Sequence, residues 1–228
     1  MGPVRAVLFD AYGTLFDVLS VSLRAEELFP GHGQRLAAAW REKQIDYTRI
    51  VSMAGPQHYR PFSALTRAAL RWAAAKLALP LDAGGEQRLM AQYDQLAPYP
   101  ENLEVLQALR ARGVRCGVLS NGDPPMLEAV VRHAGFAPLL DPLLSVDATR
   151  RYKTDPATYA LGPRALGLPA HEILFVSSNG WDAVGATWAG YTTLWVNRAG
   201  APPEQLDTAP TRSGRSLRDV LDFFQAAG

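Results

Sequence analysis

Asp10 closes the apolar run Ala6-Val7-Leu8-Phe9 and is followed by Ala11, Tyr12, Gly13 and Thr14. A carboxylate just past a buried strand lies where parallel α/β sheets place their chemistry, at the carboxyl ends of the strands. Gly13, with no Cβ, lets the chain turn back close to that carboxylate. The Thr14 hydroxyl can then donate to it. Such a carboxylate can take part in chemistry there or simply cap the turn that follows. Later polar groups bear on the choice. Ser120-Asn121 and Ser177 to Asn179 each follow an apolar run, Lys153 comes between them, and Asp182 lies just past the last cluster. Each has a plain reading alone: serines as helix caps, a surface lysine, an aspartate complementing a helix dipole. Their shared place in the pattern favours a single cleft. It would hold two carboxylates, an ammonium, hydroxyls, amides and helix N-termini suited to an anion.

The elements that must position these groups follow from periodicity. Strand-like runs occur at Val4 to Phe9, Arg115 to Leu119, Leu143 to Val146, Ile173 to Val176 and Thr192 to Val196. Helical patterns lie between them, at Asn102 to Ala111, Pro124 to Ala134, Pro156 to Leu166 and Trp181 to Ala189. A closing helix is expected from Leu217 to Ala226. Alternation of this kind predicts a doubly wound parallel sheet with helices on both faces, an α/β Rossmann-like fold. Val18 to Leu96 shows helical periodicity only, punctuated by prolines and by His32-Gly33 and Gly84-Gly85. That is far more chain than one crossover needs. The expected division is therefore a core of residues 1–15 and 98–228 and an inserted helical cap of residues 16–97. Residues 200–214, rich in Pro, Thr and Gly, read as a surface loop.

Bulk properties exclude several classes. A net charge of +1 offers no field for nucleic acid or an anionic membrane. With 48% hydrophobic and 20% charged residues, the 228-residue chain can bury a substantial core. The single cysteine, Cys116, lies in an apolar run and reads as a small buried hydrophobe. The first apolar run is far shorter than a membrane span and lacks the features of a secretory signal, so a cytoplasmic protein is expected.

Asp10-Ala11-Tyr12-Gly13-Thr14, Ser120-Asn121-Gly122, Lys153 and the acidic start of the last helix resemble, in order, the four motifs of the haloacid dehalogenase superfamily. Most members are phosphatases, and two departures matter. The position two residues after the nucleophile, acidic in phosphatases, is Tyr12. The last motif, Ser177-Ser178-Asn179-Gly180-Trp181-Asp182, has one acid where magnesium-dependent phosphatases carry a pair. An alkoxide leaving group needs a proton, whereas a halide leaves as a stable anion. A singly charged haloacid also repels a carboxylate less than a phosphate does. The full strings, together with Trp40-Arg41-Glu42-Lys43-Gln44-Ile45-Asp46-Tyr47-Thr48, are similar to the (S)-2-haloacid dehalogenase branch.

The resemblance implies a hydrolase acting on carbon–halide bonds without metal or cofactor. Asp10 would attack C2 of an (S)-2-haloacid with inversion, and water would hydrolyse the resulting ester to release an (R)-2-hydroxy acid. Asp182, with Asn179, would activate the water. Lys153 would stabilise the Asp10 carboxylate, and Thr14 and Ser177 would fix its rotamer. Ser120 and Asn121 would hold the substrate carboxylate. Arg41 would receive the halide. Ala11, Tyr12, Ile45, Phe62 and Trp181 would complete the substrate pocket, and Tyr159 would bond Asp182 or a neighbour. The implied partners are the haloacid, water, the halide product and a second copy of the chain. The alternatives are a phosphatase acting on a small metabolite and a non-catalytic carboxylate-binding relative.

Overall fold

The computed structural model describes residues 4–224. The first strand, β1 (Ala6–Phe9), is wholly buried. Burying side chains such as Val7, Leu8 and Phe9 is worth roughly 1.5–3 kcal/mol each, which favours a central place in the sheet. Four helices follow: α1 (Val21–Leu28), α2 (Gly33–Ala54), α3 (Phe62–Lys76) and α4 (Ala83–Gln92). Next come α5 (Asn102–Ala111), β2 (Arg115–Ser120), α6 (Pro124–His133), β3 (Leu143–Ser145), α7 (Pro156–Tyr159), α8 (Leu161–Leu166) and β4 (Ile173–Ser177). The chain continues through α9 (Gly180–Trp188), β5 (Thr192–Val196) and β6 (Arg212–Gly214).

The six strands form one sheet in the order β3-β2-β1-β4-β5-β6, and every neighbouring pair is parallel. The expected doubly wound sheet is therefore present. Its order reverses between β1 and β4, and a crevice opens at such a point beyond the carboxyl ends of the strands. Asp10 leaves β1 there, its N–H bonded to the Val176 carbonyl of β4 at 2.9 Å.

The four helices after β1 gather above that crevice. Phe16 bridges both Tyr12 and Pro98, and the Asp17 N–H donates to the Ala97 carbonyl at 2.8 Å. The departure of the chain into the helices and its return thus lie side by side. α2 and α3 pack on each other, with the Trp40 indole N–H donating to the Thr66 carbonyl at 2.7 Å. Aromatic rings join the helices to the sheet: Tyr12 lies 5.4 Å from Phe62 and 6.0 Å from Tyr93, centroid to centroid. Among the described residues, no helix is long and apolar enough to cross a membrane.

Four sequence expectations need correction. Residues 200–214 are not all loop, because Arg212–Gly214 pairs with Leu194–Val196 as β6. Three residues reading Arg-Ser-Gly carry no apolar signal. The helix expected from Pro156 to Leu166 divides at Ala160 into α7 and α8. Pro163 has no N–H to give the Tyr159 carbonyl four residues back, and the Tyr191 hydroxyl donates to that carbonyl instead. Gly84-Gly85 is no break but the first turn of α4, where the Asp82 carboxylate accepts the Gly85 N–H at 2.6 Å. Such a cap offsets the low helix propensity of glycine. The closing segment is a 3₁₀ run, Leu217–Phe224, and the last two residues of the expected helix lie outside the described residues. Cys116 is buried, as expected.

Candidate active site

Three polar side chains contact Asp10 and a fourth lines the cavity beside it. Its Oδ2 accepts the Thr14 hydroxyl at 3.0 Å and the Asn179 amide at 2.9 Å, and its Oδ1 lies 3.1 Å from the Lys153 ammonium. The fourth, Arg41, does not touch the carboxylate. Its guanidinium donates to the Tyr12 carbonyl at 2.9 Å and to Gln44 Oε1 at 2.7 Å. The turn that makes this possible has Gly13 at φ +98°, a conformation costly to any residue with a Cβ. Thr14 also accepts the Ser178 N–H at 2.8 Å, so one hydroxyl ties the turn after β1 to the turn after β4.

Lys153 and Asp182 lie deeper. The Lys153 ammonium bridges the two carboxylates, 2.9 Å from Asp182 Oδ2 and 3.1 Å from Asp10 Oδ1, with its side chain wholly shielded from water. Burial works against the charged ammonium, but Asp10 and Asp182 outweigh it and hold its pKa above the usual lysine value. Asp182 stands in the first turn of α9 and is completely buried. Burial raises its pKa, Lys153 lowers it and Asp10 raises it again; the balance lies above the usual carboxylate range. The Tyr159 hydroxyl donates to Asp182 Oδ1 at 2.8 Å. Burial, then the adjacent Asp182 charge, push the Tyr159 phenol far up, so it stays a donor.

A small cavity opens beside Asp10. Asp10, Tyr12, Arg41, Ile45, Phe62, Ser120, Asn121, Asn179 and Trp181 line it. Its volume is about 10 Å³, room for about one water. Arg41 and Ile45 come from α2 and Phe62 from the start of α3, so the helices supply one wall and the strand ends the other. Asn121 uses its carbonyl oxygen to accept the Lys153 N–H at 3.0 Å, which leaves its amide NH2 as the donor for a bound anion. Ser120 Oγ accepts the Gly122 N–H at 3.1 Å, leaving its own O–H to give.

Two predicted site residues lie elsewhere. Ser177 does not reach Asp10 among the described contacts; its Oγ accepts the Asn179 N–H at 3.1 Å and shapes the turn that delivers Asn179. Its side chain is two residues back, on the strand, where local capping is nearer than the carboxylate. Ala11 does not line the cavity. It is buried, and its carbonyl accepts the N–H groups of Thr14, Leu15 and Phe16.

One set of residues is missing from the sequence reading. Gln44 is fully buried, holds Arg41 through Oε1, and donates through Nε2 to Thr66 Oγ1 at 2.7 Å. Thr66 in turn donates to the Phe62 carbonyl at 2.7 Å. This chain couples the guanidinium to the Phe62 wall. The available signal was helical spacing, three residues from Arg41 to Gln44 and four from Phe62 to Thr66. Among the described residues, no group of three or more His, Cys, Asp or Glu side chains is set to hold a metal ion. The Lys153 ammonium stands between the two carboxylates.

Comparison with known proteins places these features in context. The family model for haloacid dehalogenase-like hydrolases matches residues 4–190. An (S)-2-haloacid dehalogenase of Pseudomonas sp. (strain YL) is 44% identical over 227 residues, covering 100% of this chain and 97% of the relative. The crystal structure of an L-2-haloacid dehalogenase is 59% identical with a TM-score of 0.96, covering 99% of this chain and all of the other. An L-2-haloacid dehalogenase from Xanthobacter autotrophicus, solved with chloropropionic acid covalently bound, is 33% identical with a TM-score of 0.91, covering 99% of this chain and all of the other.

Proposed function

The chain belongs to the haloacid dehalogenase-like hydrolases, and from its whole-length similarity to (S)-2-haloacid dehalogenases we propose that it hydrolyses (S)-2-haloalkanoic acids to (R)-2-hydroxyalkanoic acids and halide. The observation that carries this reading is a hydrogen-bonded carboxylate, Asp10, at the floor of a cavity walled by Tyr12, Ile45, Phe62 and Trp181, with one guanidinium on its rim. Tyr12 in place of an acid supports a leaving group that departs without a proton.

In this mechanism an Asp10 oxygen attacks C2 from the side opposite the halogen. The C–O bond forms as the C–halogen bond breaks, and the halide leaves with the bonding pair toward Arg41. Displacement at the back face inverts C2. Thr14, Asn179 and Lys153 hold the carboxylate in one orientation, so little of the barrier goes to aligning it. Ser120 and the Asn121 amide receive the substrate carboxylate. Water then adds to the ester carbonyl and Asp182 takes its proton. A buried carboxylate with a raised pKa is suited to act as a base near neutral pH. The bond between the Asp10 acyl carbon and the alkoxide oxygen then breaks, the alkoxide takes the proton back from Asp182, and the hydroxy acid leaves with Asp10 restored as a carboxylate. Tyr159 positions Asp182 through its hydrogen bond, and Ser177 acts through the Asn179 turn.

The helices of residues 16–97 serve as a cap over a core of residues 1–15 and 98–228, a division supported by Arg41, Ile45 and Phe62 facing Asp10. We place the enzyme in the cytoplasm. A second copy of the chain is its proposed partner, docking on exposed Leu19 and Leu23. Chloride release from each enantiomer of 2-chloropropionate, with and without EDTA, tests the function. Release from the (S) enantiomer only, unchanged by EDTA, is expected. Turnover of p-nitrophenyl phosphate without chloride release would overturn it. Turnover in heavy-oxygen water should place label in Asp10, and Asp10→Asn should release no halide.

A further inference from the structure

The cavity beside Asp10 is too small to receive a haloacid unless a wall moves, so the substrate must come through a neighbouring hollow. Three larger hollows bear on the question. The first, about 590 Å³, is lined by Asp94, Asp123 and Asp147 and shares no lining residue with the cavity. Its one arginine, Arg67, is paired with Glu86 at 2.7 Å. The second, about 260 Å³, meets the cavity at Asn179. Its arginine, Arg198, is committed to Glu101 at 2.9 Å and Ser178 at 2.7 Å, and it also holds Glu204, which has no cationic partner among the described residues. Both would repel an anion or leave it uncompensated.

The third hollow, about 450 Å³, meets the cavity at Trp181 and is lined by Arg49, Ser52, Met53, Trp188 and Leu206 among others. Its acid, Asp155, is neutralised by Arg151 at 2.9 Å. Arg49 is exposed, has no carboxylate partner among the described residues, and lies over the Trp181 ring at 5.4 Å. It stands on the same side of α2 as Arg41 and Ile45, two turns further along. One helix face therefore runs from a guanidinium in the cavity, past an apolar wall, to a second guanidinium at its edge.

Resting on the dehalogenase reading above, we propose that the haloacid anion enters and the product anions leave through the hollow between α2 and Trp188, with Arg49 as the anion-capturing residue and Trp181 as the door it holds. Arg49 contacts no reacting atom. It raises the local concentration of anions at the mouth, an effect that added salt weakens. Swinging Trp181 toward the hollow joins it to the cavity.

The test separates access from chemistry. Arg49→Gln should lower kcat/KM for 2-chloropropionate about three- to tenfold at low salt. The loss should fall on KM, with kcat held within about twofold, and the salt dependence of kcat/KM should flatten. Met53→Cys, modified with a bulky maleimide, blocks the mouth and should lower kcat/KM more than about tenfold. Ala201→Cys, modified in the same way at the second hollow, should not. Cys116 is buried, and burial pushes its thiol up to about 12, so the unsubstituted chain stays unlabelled. Stopped-flow tryptophan fluorescence with unreactive 2-hydroxypropionate reads association without turnover and should slow in the same two variants. Unchanged association in Arg49→Gln, blockage at Ala201 instead of Met53, or a Met53→Cys thiol that the maleimide cannot reach would overturn the route. Absence of halide release from the unmodified protein, with the association pattern intact, would overturn the reaction and leave the route standing.

Discussion

Replacing Lys153 with methionine removes the one cation shared by two buried carboxylates while keeping most of the side-chain volume. In the native protein the ammonium is 3.1 Å from Asp10 and 2.9 Å from Asp182 with none of its side chain exposed. Removing one partner of a buried ion pair costs about 3–5 kcal/mol, because the remaining charge is left unsolvated. Here two carboxylates remain, and sharing one proton between them relieves the strain. The folded variant then binds more protons than its unfolded chain above the ordinary carboxylate range, so its stability falls as pH rises through that window. The native lysine behaves in the complementary sense. Its pKa is raised on folding, so its contribution is complete below the usual lysine value and is lost only as pH climbs through the raised one. The stability gap between native protein and variant should therefore be widest near pH 8 and narrow toward pH 5. It should close by about 1.4 kcal/mol for each unit over which the variant holds the extra proton. Because the shared proton compromises the nucleophile, halide release at pH 8 should fall at least about a hundredfold, the rate equivalent of about 3 kcal/mol. Urea denaturation at both pH values and chloride release measure the two effects. A variant with native stability at pH 8, or with halide release within tenfold of native, would refute the account. Lys153→Arg should not rescue it, since a planar fork does not fit a slot shaped for a point charge.

Three further outcomes follow from the same site. Tyr159→Phe deletes the 2.8 Å hydrogen bond that lowers the Asp182 pKa. A bond to a charged group is worth about 1.5–3 kcal/mol, so the acid limb of the kcat–pH profile should move up by about one to two units. Gly13→Ala forces a Cβ onto φ +98°; it should cost about 1–2 kcal/mol, visible as a drop of several degrees in Tm by calorimetry, together with a fall in kcat as the turn shifts. Gln44→Leu frees Arg41 from its 2.7 Å bond, and chloride release should show a kcat reduced about tenfold, since the guanidinium proposed to receive the halide loses its support.

Local chemistry along the chain was sufficient to determine much of this protein. The apolar run ending in Asp10, the polar clusters after β2 and β4, and the alternation of periods gave the parallel sheet and the strand-end side of the cavity. Strand ends in such a sheet must share an edge, so residues far apart in sequence meet there without further information. Arg41, Ile45 and Phe62 lie outside that logic, and the similarity of the Trp40 to Thr48 string was what pointed to Arg41. The tertiary structure decided what depends on packing between elements: that Lys153 bridges both carboxylates, that Tyr159 reaches Asp182, that Gln44 and Thr66 aim Arg41, and that Ser177 serves the turn and not the nucleophile. The same holds for β6, whose Arg-Ser-Gly residues form a strand only because β5 offers them an unpaired edge. Periodicity records which face of an element is buried. Which donor meets which acceptor across two elements depends on their relative placement, and no single stretch of sequence carries that.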